Sequence, residues 1–540
     1  MPRKTPRPAA TTYQTLQVQT STCPGCGRTM TIDYYNYRTI TSLGGVDRFR
    51  LQIRRCHNRV CTLYRRPFRP EIEGRLALPH HEFSLSILAL VGALRYAEHR
   101  SVPEIHLHLV QRGVVVAQRT VSNLLDRYDE LRALTVADLD RLGPVLKKNG
   151  RVILAIDGLQ PDVGHEVLWV IRDCISGEIL LARSLLSSTQ DDLAKLLSEV
   201  KERLDSLQVT VAGVVSDGQH SIRNAVALAL PDVPHQLCQF HYLRDAALPI
   251  YEADRHAKKE LKKRVRGIRA IERKLEKRND AVAEVIQGYC AAVRSALTDD
   301  GRPPLDSPGL KLQERLTMLS SSLGRLAKKK TLPKELTQLQ RLLDKGLEQT
   351  KDLWPEVRGG FKWVRRVAHL LSNHGELSGK RVKARFGDIL VRMEAEAGQL
   401  EQQGEKKQAE NLKQFVKVSR NHESGLFHCY DVKDLPRTNN DLEQLFGSHR
   451  YHERRATGRK VASPGLVVRG QVRLVAGVAT RLRVVSGEEL APKSLATWRK
   501  QRGELQKRRH ARVCQRRFRR DPMTYLGNLE KKFLQSSLLP

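Results

Sequence analysis

The chain has 540 residues, 40% of them hydrophobic, and carries 94 Lys and Arg against 59 Asp and Glu, a formal charge of +35. Such a length exceeds a single core and predicts roughly two to four domains, while the charge predicts a polyanionic partner, nucleic acid before an anionic lipid surface. No apolar run reaches the roughly 18–20 residues that span a bilayer, and the basic start MPRKTPRPAATT has no apolar segment behind it to act as a secretory signal, so an intracellular, cytoplasmic protein is expected.

Residues 1–20 read as a basic arm without fixed structure. Within 21–75, four of the nine cysteines fall in two knuckles, Cys23-Pro-Gly-Cys26 and Cys56-His-Asn-Arg-Val-Cys61, around two β-like runs, Met30–Tyr37 and Arg48–Arg54. Thiols clustered in this way point to metal rather than to disulfides. Two knuckles supply four ligands for a structural zinc ion in tetrahedral geometry, which predicts a zinc ribbon; the second spacing is wide, and His57 is the alternative ligand there.

Residues 80–135 turn helical. Ser84–His99 has apolar residues at helical spacing. Ser101 caps a second helix with Pro103 in its first turn, running to about Arg112, and Gly113 breaks it. A third helix follows from Gln118 to Leu131. This is helix-turn-helix texture, with Ile105, Leu109, Val121, Leu124 and Leu125 inside and Gln118, Arg119, Thr120, Ser122 and Asn123 directed at a DNA groove.

From 150 to 245 the order is strand, hairpin, helix, strand, helix. Arg151–Ile156 is a β-branched run ending in Asp157-Gly158. His165–Arg172 and Glu178–Leu185 flank the Ser176-Gly177 turn. Asp191–Leu207 is helical, Val209–Val215 is a strand ending before Asp217-Gly218, and Ser221–Leu230 is helical. That β-β-β-α-β-α order is that of a ribonuclease-H-like core. Residues 246–430 carry no strand signal and read as an inserted α-helical domain, 431–490 return to the core, and 491–540 form a basic tail, helical or disordered. The fold class is α/β: a ribonuclease-H-like core interrupted by a large helical insertion and preceded by a zinc ribbon and a helix-turn-helix domain.

Two carboxylates directly after apolar strands, Asp157 in AIDG and Asp217 in VSDG, are oxygen ligands suited to Mg²⁺. A pair of such ions clamps the attacking and leaving oxygens of a phosphoryl displacement. Asp-Gly is also ordinary turn chemistry, and it is the repetition of the pattern in two matching slots that favours a site. The third carboxylate is sought in RTNNDLEQLFGSHR, where Glu443 is preferred, Asp441 and Glu453 compete, and a capping box from Asn440 to Glu443 is the plain alternative. Cys238 and His241, one turn apart on an expected helix, are placed beside this site but not counted as ligands, and His235 is a neighbour. The blocks His256–Arg278 and Trp498–Arg520 are phosphate-contact candidates. Trp354 and Trp363 are read as core residues before they are read as base-stacking ones.

In these features the chain resembles the DDE transposases of bacterial insertion sequences, above all those related to the Mutator-like and hAT groups, whose core a helical domain interrupts. The likeness rests on Asp157 in AIDG, Asp217 in SDGQHSIRNAV, Cys238 and His241 in HQLCQFHYLRDA, and Glu443 in TNNDLEQLFG, and covers about residues 150–465. The basic RRATGRK segment that follows adds Arg454, Arg455, Arg459 and Lys460 as DNA contacts. The resemblance implies Mg²⁺ or Mn²⁺ at Asp157, Asp217 and Glu443, with Asp157 bridging two ions, and water-driven cleavage at an element end followed by attack of the freed 3′-hydroxyl on target DNA. It implies double-stranded DNA as partner, a homo-oligomer on DNA, a nucleoid-associated location and a prokaryotic host. The long basic C-terminus departs from it. A related nuclease or resolvase without strand transfer, a DNA-binding regulator derived from a transposase, and a zinc-dependent RNA-binding protein are the other readings.

Overall fold

The computed structural model describes residues 7–160, 166–275, 278, 280–459 and 464–536. It is a mixed α/β structure of two compact units, one made of 1–211 with 440–540, the other of 212–439.

The first unit opens with β1 (Thr12–Leu16), β2 (Thr31–Ser42), β3 (Gly45–Arg55) and β4 (Pro67–Phe68). β1 runs parallel to β3, while β2 and β4 run antiparallel to it. Alternation along β3 buries Phe49, Leu51 and Ile53 with Ile40 and turns Arg48 and Arg50 outward. β2 and β3 are longer than their apolar pattern indicates. Leu43-Gly44 closes a tight hairpin, so the ladder continues to Ser42 opposite Gly45. Gly45 has φ +131°, and a Cβ there would lie 2.7 Å from Thr11 Oγ1.

After a single turn, α1 (Glu73–Leu76), come α2 (Leu85–Tyr96), α3 (Val102–Gln111), α4 (Gln118–Val136) and α5 (Leu139–Lys147). Ser84 accepts from Ile87 N, and Ser101 and Glu104 exchange hydrogen bonds in a capping box. Gly113, at φ +77°, ends α3. The five apolar residues expected inside are buried. α4 runs a turn beyond the expected Leu131, because Tyr128, Leu131 and Val136 are buried too. Tyr128 needs Gly92 opposite it: any Cβ on Gly92 would fall 2.1 Å from its ring.

β5 (Arg151–Leu159), β6 (Val167–Asp173) and β7 (Ile179–Leu185) form an antiparallel meander. Asp173 organises the hairpin, accepting from Ile153 N at 3.0 Å and Ser176 N at 2.8 Å, with Gly177 at φ +75°. β5 outlasts its expected end at Ile156, so that Asp157 and Gly158 lie in the ladder opposite Val170 and Trp169. The expected start of β6, His165, lies outside the described residues. α6 (Gln190–Ser206) follows, and the boundary between units falls within β8 (Thr210–Ser216).

The second unit continues with α7 (His220–Ala229) and β9 (His235–Leu237), which pairs parallel to β8. It is otherwise helical, as its composition indicates: α8 (Gln239–Ala246), α9 (Leu248–Arg264), α10 (Ile268–Leu275), α11 (Ala281–Thr298), α12 (Pro308–Lys329), α13 (Lys334–Glu348), α14 (Trp354–Ser372), α15 (Gly379–Gln402) and α16 (Lys406–His422). Trp354 and Trp363 are 1% and 3% exposed and pack within this helical core.

The chain then returns to the first unit as α17 (Asn440–Thr457), α18 (Pro464–Leu482), α19 (Leu495–Arg520) and α20 (Pro522–Ser536). α18 packs on α2, α4 and β7. Ala476, Val485, Leu490 and Trp498 complete the core of α2–α4. Of the two states open to the basic C-terminus, helix is therefore the one found, because Trp498 and Leu505 give α19 a buried side.

The α4–α18 contact is ionic at its centre. Fully buried Asp129 accepts from Tyr96 Oη at 2.5 Å and pairs with Arg473 Nε at 3.3 Å, while Arg469 reaches both Asp126 and Glu130 at 3.1 Å. Trp498 Nε1 donates to Glu130 at 3.0 Å. Burial raises the Asp129 pKa, and Arg473 opposes that shift. Removing one partner of such a pair strands the other. Asp129→Ala is predicted to cost about 3–5 kcal/mol of stability, read from denaturation followed by circular dichroism; a loss below about 1 kcal/mol would show that the network carries no such weight.

Candidate functional site

Cys23 and Cys26 flank a turn in which Gly27 N donates to Cys23 O, and Cys56 and Cys61 approach from the end of β3 and the loop after it. Their sulfurs all lie within 4.8 Å of one another, with Cys23–Cys61 at 3.7 Å and Cys26–Cys56 at 3.6 Å. Four sulfurs at 2.3 Å from one ion stand about 3.8 Å apart along each tetrahedral edge, so this group is able to hold zinc. The candidate ligands are the four cysteines; His57 is exposed and outside the group. Hydrogen bonds from the Arg28 backbone and from Asn58 pull Cys26 down to about 6. At Cys56 the Asn58 backbone pulls the same way, but burial and the neighbouring sulfurs push the thiol up to about 12. A divalent cation removes that conflict. Among the described residues no second group of three or more His, Cys, Asp or Glu side chains meets the same spacing.

Asp157 is half-buried on β5, and its Oδ1 accepts from Gly158 N at 2.7 Å. Gly158 is required by its neighbours: a Cβ there would meet Val167 at 2.8 Å and Trp169 at 3.3 Å. Asp217 follows β8 in the second unit. Its Oδ1 accepts from Gln219 N at 3.0 Å, and Gly218 takes φ +86° to enter α7. Ser216 Oγ accepts from Gly218 N at 3.3 Å and bonds His235 Nε2 at 2.8 Å. Burial pushes His235 down to about 4, so the ring is neutral and steadies the Asp217 turn. In the sequence His235 is only a neighbour of Cys238, because β9, which gives it this work, has three residues and no apolar alternation to mark it.

Glu443 is half-buried on α17, a helix that packs on β5 within the first unit. The helix begins at Asn440 itself, so Glu443 stands at its fourth position, past the third-position slot of a capping box. Of its rivals, Asp441 is exposed and Glu453 is buried against Arg95 at 3.7 Å. Cys238 and His241 stand one turn apart at the start of α8. Cys238 precedes α8 as its N-cap, where its Sγ accepts from Asn439 N at 3.4 Å, and His241 lies inside the helix.

Further along α17, His452 Nδ1 bonds His99 Nδ1 at 2.7 Å, and His449 is wholly buried with neither ring nitrogen hydrogen-bonded. Burial, opposed by Glu453, pushes His449 down to about 4.

The DNA-facing candidates on α4 are surface residues: Gln118, Arg119 and Asn123 are exposed, and Thr120 and Ser122 half-buried. Arg454, Arg455 and Arg459 are exposed near the end of α17, and Lys460 lies outside the described residues. The block His256–Arg278 is less free than its sequence indicates. Lys258 pairs with Asp300 at 3.0 Å, Lys263 with Glu260 at 2.6 Å and Arg278 with Asp280 at 3.0 Å. In contrast, a cleft of about 570 Å³ between α14 and α15 is lined by Arg365, Arg366, Arg385 and Arg392 with Trp363 and a single acid, Asp388. Among the described residues, none of these four arginines has a carboxylate within ion-pair distance.

No protein-family model matches the sequence, and comparison with curated proteins finds no match.

Cys23→Ser and Cys56→Ser will each abolish stoichiometric zinc in the purified protein, measured by metal analysis; full zinc content in both would contradict the four-thiolate site. His449 has a folded pKa of about 4, below its unfolded value near 6.5. Its contribution is therefore intact above pH 6.5 and falls as pH drops toward 4, by up to roughly 3 kcal/mol. His449→Leu will flatten the pH dependence of stability over that window, and a slope unchanged from the wild type would contradict the assignment.

Proposed function

We propose that the protein is a DDE-type DNA transposase that binds the ends of a mobile element and carries out metal-dependent cleavage and strand transfer. The chain order β5, β6, β7, α6, β8, α7 supports a ribonuclease-H-like core, with Asp157 on its first strand and Asp217 directly after its fourth. The helices of the second unit then intervene. The observation that carries the reading comes after them: α17, which bears Glu443, packs on β5, which bears Asp157, although the whole helical block separates them in sequence.

Asp157, Asp217 and Glu443 form an all-oxygen donor set that suits Mg²⁺ or Mn²⁺, and their convergence on such ions is part of this proposal. Two ions roughly 3.5–4 Å apart allow carboxylates on opposite ions to stand farther apart than the ligands of a single one. When bound, such ions supply charge neutralisation at the phosphoryl group and lower the pKa of a bound water. The protein's own residues hold the carboxylates in place: Gly158 under Trp169, the Ser216–His235 pair behind the Asp217 turn, and the buried side of α17 behind Glu443.

In the same reading the four cysteines make a zinc ribbon, and α3 and α4 a helix-turn-helix whose Gln118, Arg119, Thr120, Ser122 and Asn123 read element ends. Arg454, Arg455 and Arg459, with the unpaired arginines of the α14–α15 cleft, contact backbone phosphates, which position DNA without reading its sequence. Two ends must be joined to one target, so a homo-oligomer assembles on double-stranded DNA.

Asp157→Asn, Asp217→Asn and Glu443→Gln are each predicted to reduce Mg²⁺-dependent strand cleavage of end DNA below detection while leaving DNA affinity within about threefold of wild type. Any one of them cleaving at wild-type rate would remove that residue from the site. Cleavage without joined products would favour the nuclease reading, and no cleavage by the wild type under any divalent ion would favour the DNA-binding regulator.

A further inference from the structure

The β1–β3–β2 sheet has a buried face and an open one. On the open face Tyr13 stands beside Arg48 in register, Arg50 beside Tyr37, and Tyr35 one pair further along. The three tyrosines are 71%, 59% and 39% exposed for Tyr13, Tyr37 and Tyr35, far from the usual place of so large a ring. The Arg50 guanidinium lies 3.8 Å from the Tyr35 ring centre, and that of Arg48 lies 5.3 Å from Tyr37. Neither arginine has a carboxylate within ion-pair distance among the described residues, whereas Arg38 and Arg55 of the same sheet pair with Glu73 and Asp33.

Exposed rings interleaved with unpaired guanidinium groups offer two kinds of contact at once, flat faces for stacking and positive charge for phosphates. Duplex DNA hides its base faces within its own stack and presents only edges and phosphates, so a row of aromatic faces is wasted on it. An unpaired strand exposes those faces. Tyr35 and Tyr37, two residues apart on one side of β2, stand roughly 7 Å apart along the strand, enough for each ring to take its own base. An apolar protein partner fits less well, because the face carries no cluster of aliphatic side chains and the chain as a whole holds a charge of +35.

We propose that the open face of the β1–β3–β2 sheet, with Tyr13, Tyr35, Tyr37, Arg48 and Arg50, binds single-stranded DNA by base stacking. That the strand is DNA rests on the transposase reading, in which cleaved ends expose unpaired nucleotides; that the surface takes an unpaired strand does not.

The test uses the full-length protein and labelled oligothymidine of roughly 15 nucleotides, with oligouridine RNA and a duplex of equal length as comparisons, read by fluorescence anisotropy. Tyr35→Ala and Tyr37→Ala are expected to weaken oligothymidine binding about tenfold each, with duplex binding and zinc content unchanged. Tyr→Phe at the same positions keeps the ring and should keep the affinity. Arg48→Ala and Arg50→Ala should each reduce the slope of log affinity against log salt by about 0.7. Wild-type oligothymidine binding in the double Tyr→Ala variant overturns the inference, and so does an equal loss for single strand and duplex. Tighter binding of oligouridine than of oligothymidine overturns the choice of DNA. Strand cleavage is scored separately with the same preparations: failure of the wild type to cleave, with the platform intact in binding, undoes the transposase reading and leaves the stacking surface standing.

Discussion

Carboxylates repel one another, so any protein that is to hold several of them toward one point must fix the backbone behind each by contacts that have nothing to do with the carboxylate. The first unit does this for Glu443. Leu442, Phe446 and the buried histidines line one side of α17, and Arg95 reaches its last turns through Glu453 and the Ala456 carbonyl. Glu443 therefore rides on a helix held at several places beyond it. Asp157 is fixed by the ladder on β6, and Asp217 by a turn with its own internal hydrogen bonds. Each of the three thus has local support of its own, as the metal site proposed above would require.

The same unit joins the two ends of the chain. α18 lies between the α2–α4 helices and the β5–β7 meander, and the ion network of α4 with α18 is buried at that contact. α4 is divided along its length. Its first turns present Gln118, Arg119 and Asn123 to solvent, and its later turns are buried against α18 and α19. The exposed first turns of α4, proposed above to read DNA, are thus anchored by residues more than three hundred positions away, and removing the N-terminal 135 residues would open a shared core rather than release a separable domain. Point changes on the exposed turns are the cleaner probe of recognition.

Much of this was legible in the sequence because its causes are local. Ser84 and Ser101 as caps, Gly113 as a break, Ser176-Gly177 as a hairpin turn and the two cysteine knuckles all act within a few residues of themselves. What could not be read depends on partners distant along the chain. Of the acids that pair with the His256–Arg278 block, Glu260 lies within it, but Asp300 belongs to the loop after α11 and Glu335 to α13. β9 has three residues and no pattern of its own, so the His235 contact behind Asp217 was invisible. The helical state of the C-terminus depends on Trp498 finding a core built from α2–α4, with Leu505 buried two turns further on. The tyrosine–arginine face needed the register of three strands before the alternation in β2 meant anything.

The central claim is that Asp157, Asp217 and Glu443 together hold divalent ions. Anomalous scattering from crystals grown with Mn²⁺ tests it most directly. The account predicts strong peaks about 2.1 Å from carboxylate oxygens of all three residues, lost in Asp157→Asn. Manganese bound elsewhere, or held by only one of the three with the others turned away, would contradict it.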